Sequence, residues 1–118
     1  MQRYPLPFLL LIAACTPANT PDARYVGSAT PTEPSDLCRS TRAVLRLRDG
    51  VALFIPDETT WSLPGTAAAA GTLKAERTAL GANKQPYSTQ LTGTWTAQTA
   101  TGKYTTPRCT YDVALTRS

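Results

Sequence analysis

Between Arg42 and Arg48 the chain alternates: Ala43, Leu45 and Leu47 are apolar, Arg42, Arg46 and Arg48 are charged, and only Val44 breaks the pattern. A period of two puts the two sets on opposite faces of an extended segment, so this stretch predicts a half-buried strand. Asp49-Gly50 follows, and then a second apolar run, Val51-Ala52-Leu53-Phe54-Ile55. Asp-Gly between two such runs predicts a tight hairpin, because both central residues of a type I′ turn need positive φ. Pro56-Asp57-Glu58-Thr59 predicts the next turn, and Thr60-Trp61-Ser62-Leu63 a short strand stopped by Pro64-Gly65. Further on, residues 81–86 read as a loop, and residues 87–98 are rich in Thr and aromatics, as strands are. Within them Gly93 marks a bulge or a close approach of backbones. Residues 101–106 predict another strand, ended by Pro107. The last strand runs from Cys109 to Thr116, with its odd-numbered residues facing inward.

Two regions are less clear. The stretch from Thr66 to Leu80 contains Ala67-Ala68-Ala69-Ala70 and Leu73-Lys74-Ala75-Glu76-Arg77, which have good helix propensity. Gly71-Thr72 interrupts them and no helix stop is visible. The strand reading, with Leu73, Ala75 and Arg77 on one face and Gly71 at a turn, agrees with its surroundings and is preferred. Residues 16–36 hold Pro17, Pro21, Pro31 and Pro34 among small polar residues, a composition of extended, solvated chain. Tyr25-Val26 is the one apolar spot there, placed to dock on the folded part. Gly93-Thr94-Trp95 and Gly102-Lys103-Tyr104 read as matching elements of one meander. The expected fold is all-β: a small antiparallel meander or barrel of six to eight short strands.

The amino-terminal segment changes the picture. Arg3 precedes an uncharged apolar run, Leu6-Pro7-Phe8-Leu9-Leu10-Leu11-Ile12-Ala13-Ala14, which ends at Cys15. A charged head, a short apolar run and small residues make a secretory signal, and the run falls short of the ~20 residues of a spanning helix. Ile12-Ala13-Ala14-Cys15 resembles the lipobox of bacterial lipoproteins. That resemblance implies cleavage before Cys15 and diacylglycerol on its sulfur, with residues 1–14 as signal peptide, 15–36 as lipidated cysteine and Pro-rich tether, and 37–118 as the β domain. The expected location is the bacterial cell envelope, lipid-anchored; Thr16 after the cysteine favours the outer membrane over the inner by resemblance to enterobacterial lipoproteins. Cleavage after Ala18 would instead release a soluble periplasmic or secreted protein. With Cys15 acylated, Cys38 and Cys109 remain. An exported pair without a competitor is expected to form a disulfide that closes nearly the whole domain into one loop.

Charge and chemistry add mostly exclusions. The 118-residue chain carries a net +4, enough for one domain with a modest core. The basic residues are scattered except for Arg42-x3-Arg46-x-Arg48. On a strand these share a face, suited to an anionic surface such as lipopolysaccharide or teichoic acid, or to a solvated edge. Nucleic acid is not an expected partner. The chain has no histidine, which excludes Ser-His-Asp and Cys-His catalysis and histidine-ligated metal. No phosphate loop, Gly-x-Ser-x-Gly or paired carboxylates stand out, so a non-enzyme without cofactor or metal is expected. The leading expectation is a non-catalytic binding or envelope-structural role. The partners are then the membrane through Cys15 and an envelope protein or anionic glycan. The alternatives are inhibition of a cell-wall hydrolase or protease, and carriage of a small apolar ligand. The hairpin from Asp49 to Leu63 and Thr101-Gly102-Lys103-Tyr104 faintly resemble the membrane-bound lysozyme inhibitors, small disulfide-closed β lipoproteins with a Ser-Gly-x-x-Tyr loop. Here Thr stands for Ser and one residue separates Gly from Tyr, so no binding residues are carried over.

Overall fold

The Asp49-Gly50 hairpin forms as its residues dictate, with φ of 52° and 81° at the two central positions. It joins the second and third of eight strands in a computed structural model that describes residues 22–57 and 61–118. The strands are β1 Ala23–Pro31, β2 Thr41–Arg48, β3 Val51–Ile55, β4 Leu63–Ala67, β5 Thr72–Leu80, β6 Pro86–Trp95, β7 Thr99–Thr105 and β8 Thr110–Arg117. Each pairs antiparallel with the next, and β8 returns to β1 from Tyr25↔Arg117 to Pro31↔Tyr111, closing a barrel. Closure leaves no open sheet edge. All eight strands and both disulfide cysteines lie between Asp22 and Ser118, so this segment carries a complete core of its own. Cys15 and the Ile12-Ala13-Ala14 segment read as a lipobox lie outside the described residues.

The interior is filled by the inward members of the alternation. Tyr25, Leu45, Phe54, Leu63, Leu73 and Leu91 are fully buried. Ala43, Leu47, Ala52, Ala75, Ala100, Tyr104, Val113 and Leu115 complete the cluster. An eight-stranded barrel is just wide enough for its own side chains to fill. Glycines take inward positions where strands cross most closely. Gly93 and Gly102 face each other across β6 and β7, and a Cβ on Gly93 would lie 2.7 Å from the Gly102 Cα and closer still to the Thr101 carbonyl oxygen.

Two expectations change. Residues 23–31, read as part of the tether, form β1, paired on both sides and contributing buried Tyr25 and Ala29. Their inward face carries Gly27 and Ala29, small because the backbone of β8 lies against it; a Cβ on Gly27 would come within 2.9 Å of the Leu115 Cα. A narrow site thus removes the apolar signal by which a strand is recognised. Pro64-Gly65, read as a stop, lies inside β4. The ladder from β4 to β5 begins only at Gly65, just past the proline, so an edge-like position tolerates the missing N–H. The stretch from Thr66 to Leu80 is strand, not helix: β5 holds Leu73 and Ala75 inward, with the turn at Ala68–Gly71 closed by Gly71 at φ 103°.

The up-and-down order gives the barrel two distinct ends. One end collects the start of β1, the Asp49-Gly50 turn, the Ala68–Gly71 turn, residues 96–98 and the C-terminus. Tyr25 closes it, donating its hydroxyl to the Thr96 carbonyl at 2.6 Å. The opposite end collects residues 32–40, Pro56 and Asp57 after β3, Trp61 and Ser62 before β4, residues 81–85 and residues 106–109. It is closed by the aromatic column Phe54–Tyr104–Tyr111, with ring centroids 5.4 Å apart at each step.

Candidate functional site

The disulfide expected from the cysteine count is present, joining Cys38 to Cys109 across 71 residues of sequence. Each cysteine ends a four-residue turn that begins with a hydroxyl side chain. In Ser35-Asp36-Leu37-Cys38, the Ser35 hydroxyl accepts from the Leu37 and Cys38 amides at 3.2 and 3.1 Å. In Thr106-Pro107-Arg108-Cys109, the Thr106 hydroxyl accepts from the Arg108 and Cys109 amides at 3.3 and 3.0 Å. A short hydroxyl side chain can stand in for a backbone turn acceptor in this way. The bond between the two cysteines clamps the turns together, and the residue before each cysteine, Leu37 and Arg108, is thrust outward.

Leu37 is 70% exposed. With Arg108, Pro107, Pro86, Tyr87 and Tyr111 it lines an open groove of about 560 Å³ at this end of the barrel. Leu80, 67% exposed, ends β5 at the rim. Two of the three large apolar side chains exposed among the described residues therefore lie at one end. Scattered exposed apolar residues are ordinary, whereas here two lie at one end of the barrel, one of them in a groove with aromatic rings and prolines. Sequence reasoning missed this groove because its residues come from three separate loops. The usable signal was the parallel between Ser35-x-x-Cys38 and Thr106-x-x-Cys109.

The residues singled out earlier fare differently. Gly102 sits in mid-strand and Tyr104 is 6% exposed within the core, so the stretch carrying the resemblance to lysozyme inhibitors is barrel wall, not an exposed loop. Burial pushes the Tyr104 phenol up to about 12 from an ordinary 10.0, against the pull of side-chain hydrogen bonds with Trp61 and Thr89. The neutral phenol is favoured in the folded state, so its contribution to stability is complete below pH 10 and is lost as pH rises through the folded value. Urea unfolding should show a loss of about 2 kcal/mol between pH 10 and 12, and the Tyr104→Phe variant should lack this part of the alkaline decline. Arg77, expected on the face of Leu73 and Ala75, is exposed where they are buried. Its guanidinium lies 5.3 Å from the Trp61 ring centroid and its Nε donates to the Ser62 carbonyl. No group of three or more Cys, Asp or Glu among the described residues is arranged to hold a metal ion.

Fold and groove together define a disulfide-stapled, eight-stranded up-and-down β-barrel with a filled interior and a solvent-open groove at one end. No family model, curated protein or solved structure matches the chain.

Proposed function

We propose that the protein is a bacterial envelope lipoprotein, anchored through Cys15, whose barrel is a non-catalytic binding module for an envelope protein. The observation that carries this reading is the placement of the groove. β1 starts at the end of the barrel opposite Leu37, Tyr87 and Arg108. Eight residues from Cys15 to Ala23 span at most about 28 Å, so an acylated Cys15 holds the barrel by its Tyr25 end and turns the groove away from the bilayer. The residues left for a tether are then 16–22. The filled interior speaks against carriage of an apolar ligand in the barrel mouth.

The reading predicts position-specific capture in intact cells. A photo-crosslinking residue at Leu37 or Tyr87 should trap one protein of the envelope. The same residue at Thr101, on the barrel wall, should not trap it, and an added Arg108→Glu substitution should weaken the trapping. Equal labelling from Leu37 and Thr101 would defeat the groove as a docking site. The tyrosines in the groove favour one narrower version of this proposal, a cell-wall hydrolase or protease as the partner. In that case the trapped protein is a hydrolase and the purified barrel lowers its activity. A trapped structural protein assigns the groove to envelope organisation.

A further inference from the structure

The outer wall of β1–β3 is unlike the rest of the barrel. The register aligns Arg24, Arg46 and Leu53 in one row, Arg48 with Val51 in the next, and Val26, Val44 and Ile55 in a third. Arg24, Arg46 and Arg48 surround a shallow hollow of about 440 Å³ floored by Val51 and Leu53. Val51 is 58% exposed, the third of the large apolar side chains that face solvent. The acids nearby are Asp22, paired with Arg48 at 3.5 Å, and Asp49 at the hairpin tip. Arg24 donates to the Ser118 hydroxyl at 3.4 Å. Across the barrel, β5–β8 present a balanced wall. Lys74, Thr92, Lys103 and Asp112 align there, Lys103 is bound to Asp112 at 2.6 Å, and Gln90 donates to Glu76.

We infer that the Arg24–Arg46–Arg48 patch, at the Tyr25 end of the β1–β3 wall, is a membrane-contact surface that meets the headgroups of an anionic bilayer. Guanidinium groups pair with lipid phosphates, and aliphatic side chains between them can seat in the interfacial layer. The choice of a bilayer as the occupant rests on the lipid-anchor reading of Cys15. β1 carries Arg24 one residue after its start, so the tether leaves the barrel beside this face. The basic patch adds an electrostatic contact at the headgroups to the hold of the acyl chains on Cys15.

The test uses the oxidised segment from Asp22 to Ser118, which lacks Cys15 and carries all eight strands, with vesicles of equal parts phosphatidylglycerol and phosphatidylcholine. The barrel should co-sediment with them, be released by about 0.5 M salt, and ignore vesicles of phosphatidylcholine alone. Each arginine at an anionic surface strengthens partitioning about fivefold, so R24Q/R46Q should weaken it about 25-fold. The control K74Q/K103Q, on the opposite wall, should weaken it less than threefold, with both variants melting within a few degrees of the parent. No sedimentation, equal binding to both vesicle types, or equal loss from the two double variants would overturn the inference. Retention on a polyanionic glycan column without vesicle binding would reassign the face to a glycan. Acylation is read separately from the mass of the full chain, so either reading can fail alone.

Discussion

Replacing Gly93 by alanine should destabilise the barrel by more than about 3 kcal/mol, a large effect for one added methyl group. Overpacking a core usually costs 1–3 kcal/mol, because side chains can rotate away. Here they cannot. The new Cβ would meet the Thr101 carbonyl and the Gly102 Cα, backbone atoms of the adjacent strand, and relief requires parting β6 from β7. That pairing runs from Gln90↔Thr105 to Trp95↔Ala100, with the glycine pair in the middle. Gly81→Ala is the contrast: its Cβ would meet nothing nearer than 3.5 Å. Urea unfolding of the two variants should show a large midpoint loss for the first and less than about 1 kcal/mol for the second. Similar midpoints would mean that the strands do not approach as closely as described.

Removal of the disulfide should be the second large effect. A closure spanning 71 residues restrains the unfolded chain by about 4 kcal/mol in the loop-entropy account, an upper figure because residual structure reduces it. Against a net stability of about 5–15 kcal/mol for a domain, that is a large fraction. The paired substitution Cys38→Ser with Cys109→Ser should lower the melting temperature by roughly 15–25 °C. Its local consequence bears on function. The Ser35 and Thr106 turns lose their clamp, so amide exchange should rise first at Leu37 and Arg108 while the Gly93–Gly102 region stays protected. A reduced protein that melts with the oxidised one would show that barrel closure alone fixes the groove.

How legible all this was in the sequence depended on what each residue had to signal. Asp49-Gly50 needs positive φ wherever it sits between apolar runs, so the hairpin was readable locally. The inward face of the last strand was readable because Tyr111, Val113 and Leu115 alternate without a break after Cys109. β1 was hidden, since a tight crossing with β8 demands Gly27 and Ala29 where a reader looks for Val or Leu, and flanking prolines reinforce the wrong impression. Pro64-Gly65 misled for a related reason: a ladder that starts one residue late makes a stop signal harmless. Leu73, Lys74 and Ala75 show the reverse case, where helix propensity yields to pairing on both sides. The groove lay beyond local reading altogether, because Leu37, Tyr87 and Arg108 meet only through barrel closure and the disulfide. Arg46 and Arg48 were visible as one face, but Arg24 joins them only through the β1–β2 register.

The anchoring of the barrel through Cys15 by its β1 end is the central proposal, and the intact mass of the protein extracted from membranes tests it most directly. Measured without reductant and then with it, the mass should equal the chain from Cys15 to Ser118 plus acyl groups, rising by two protons on reduction. An unacylated mass beginning after Ala18 would contradict the anchor, and with it the orientation that faces the Leu37–Arg108 groove away from the bilayer.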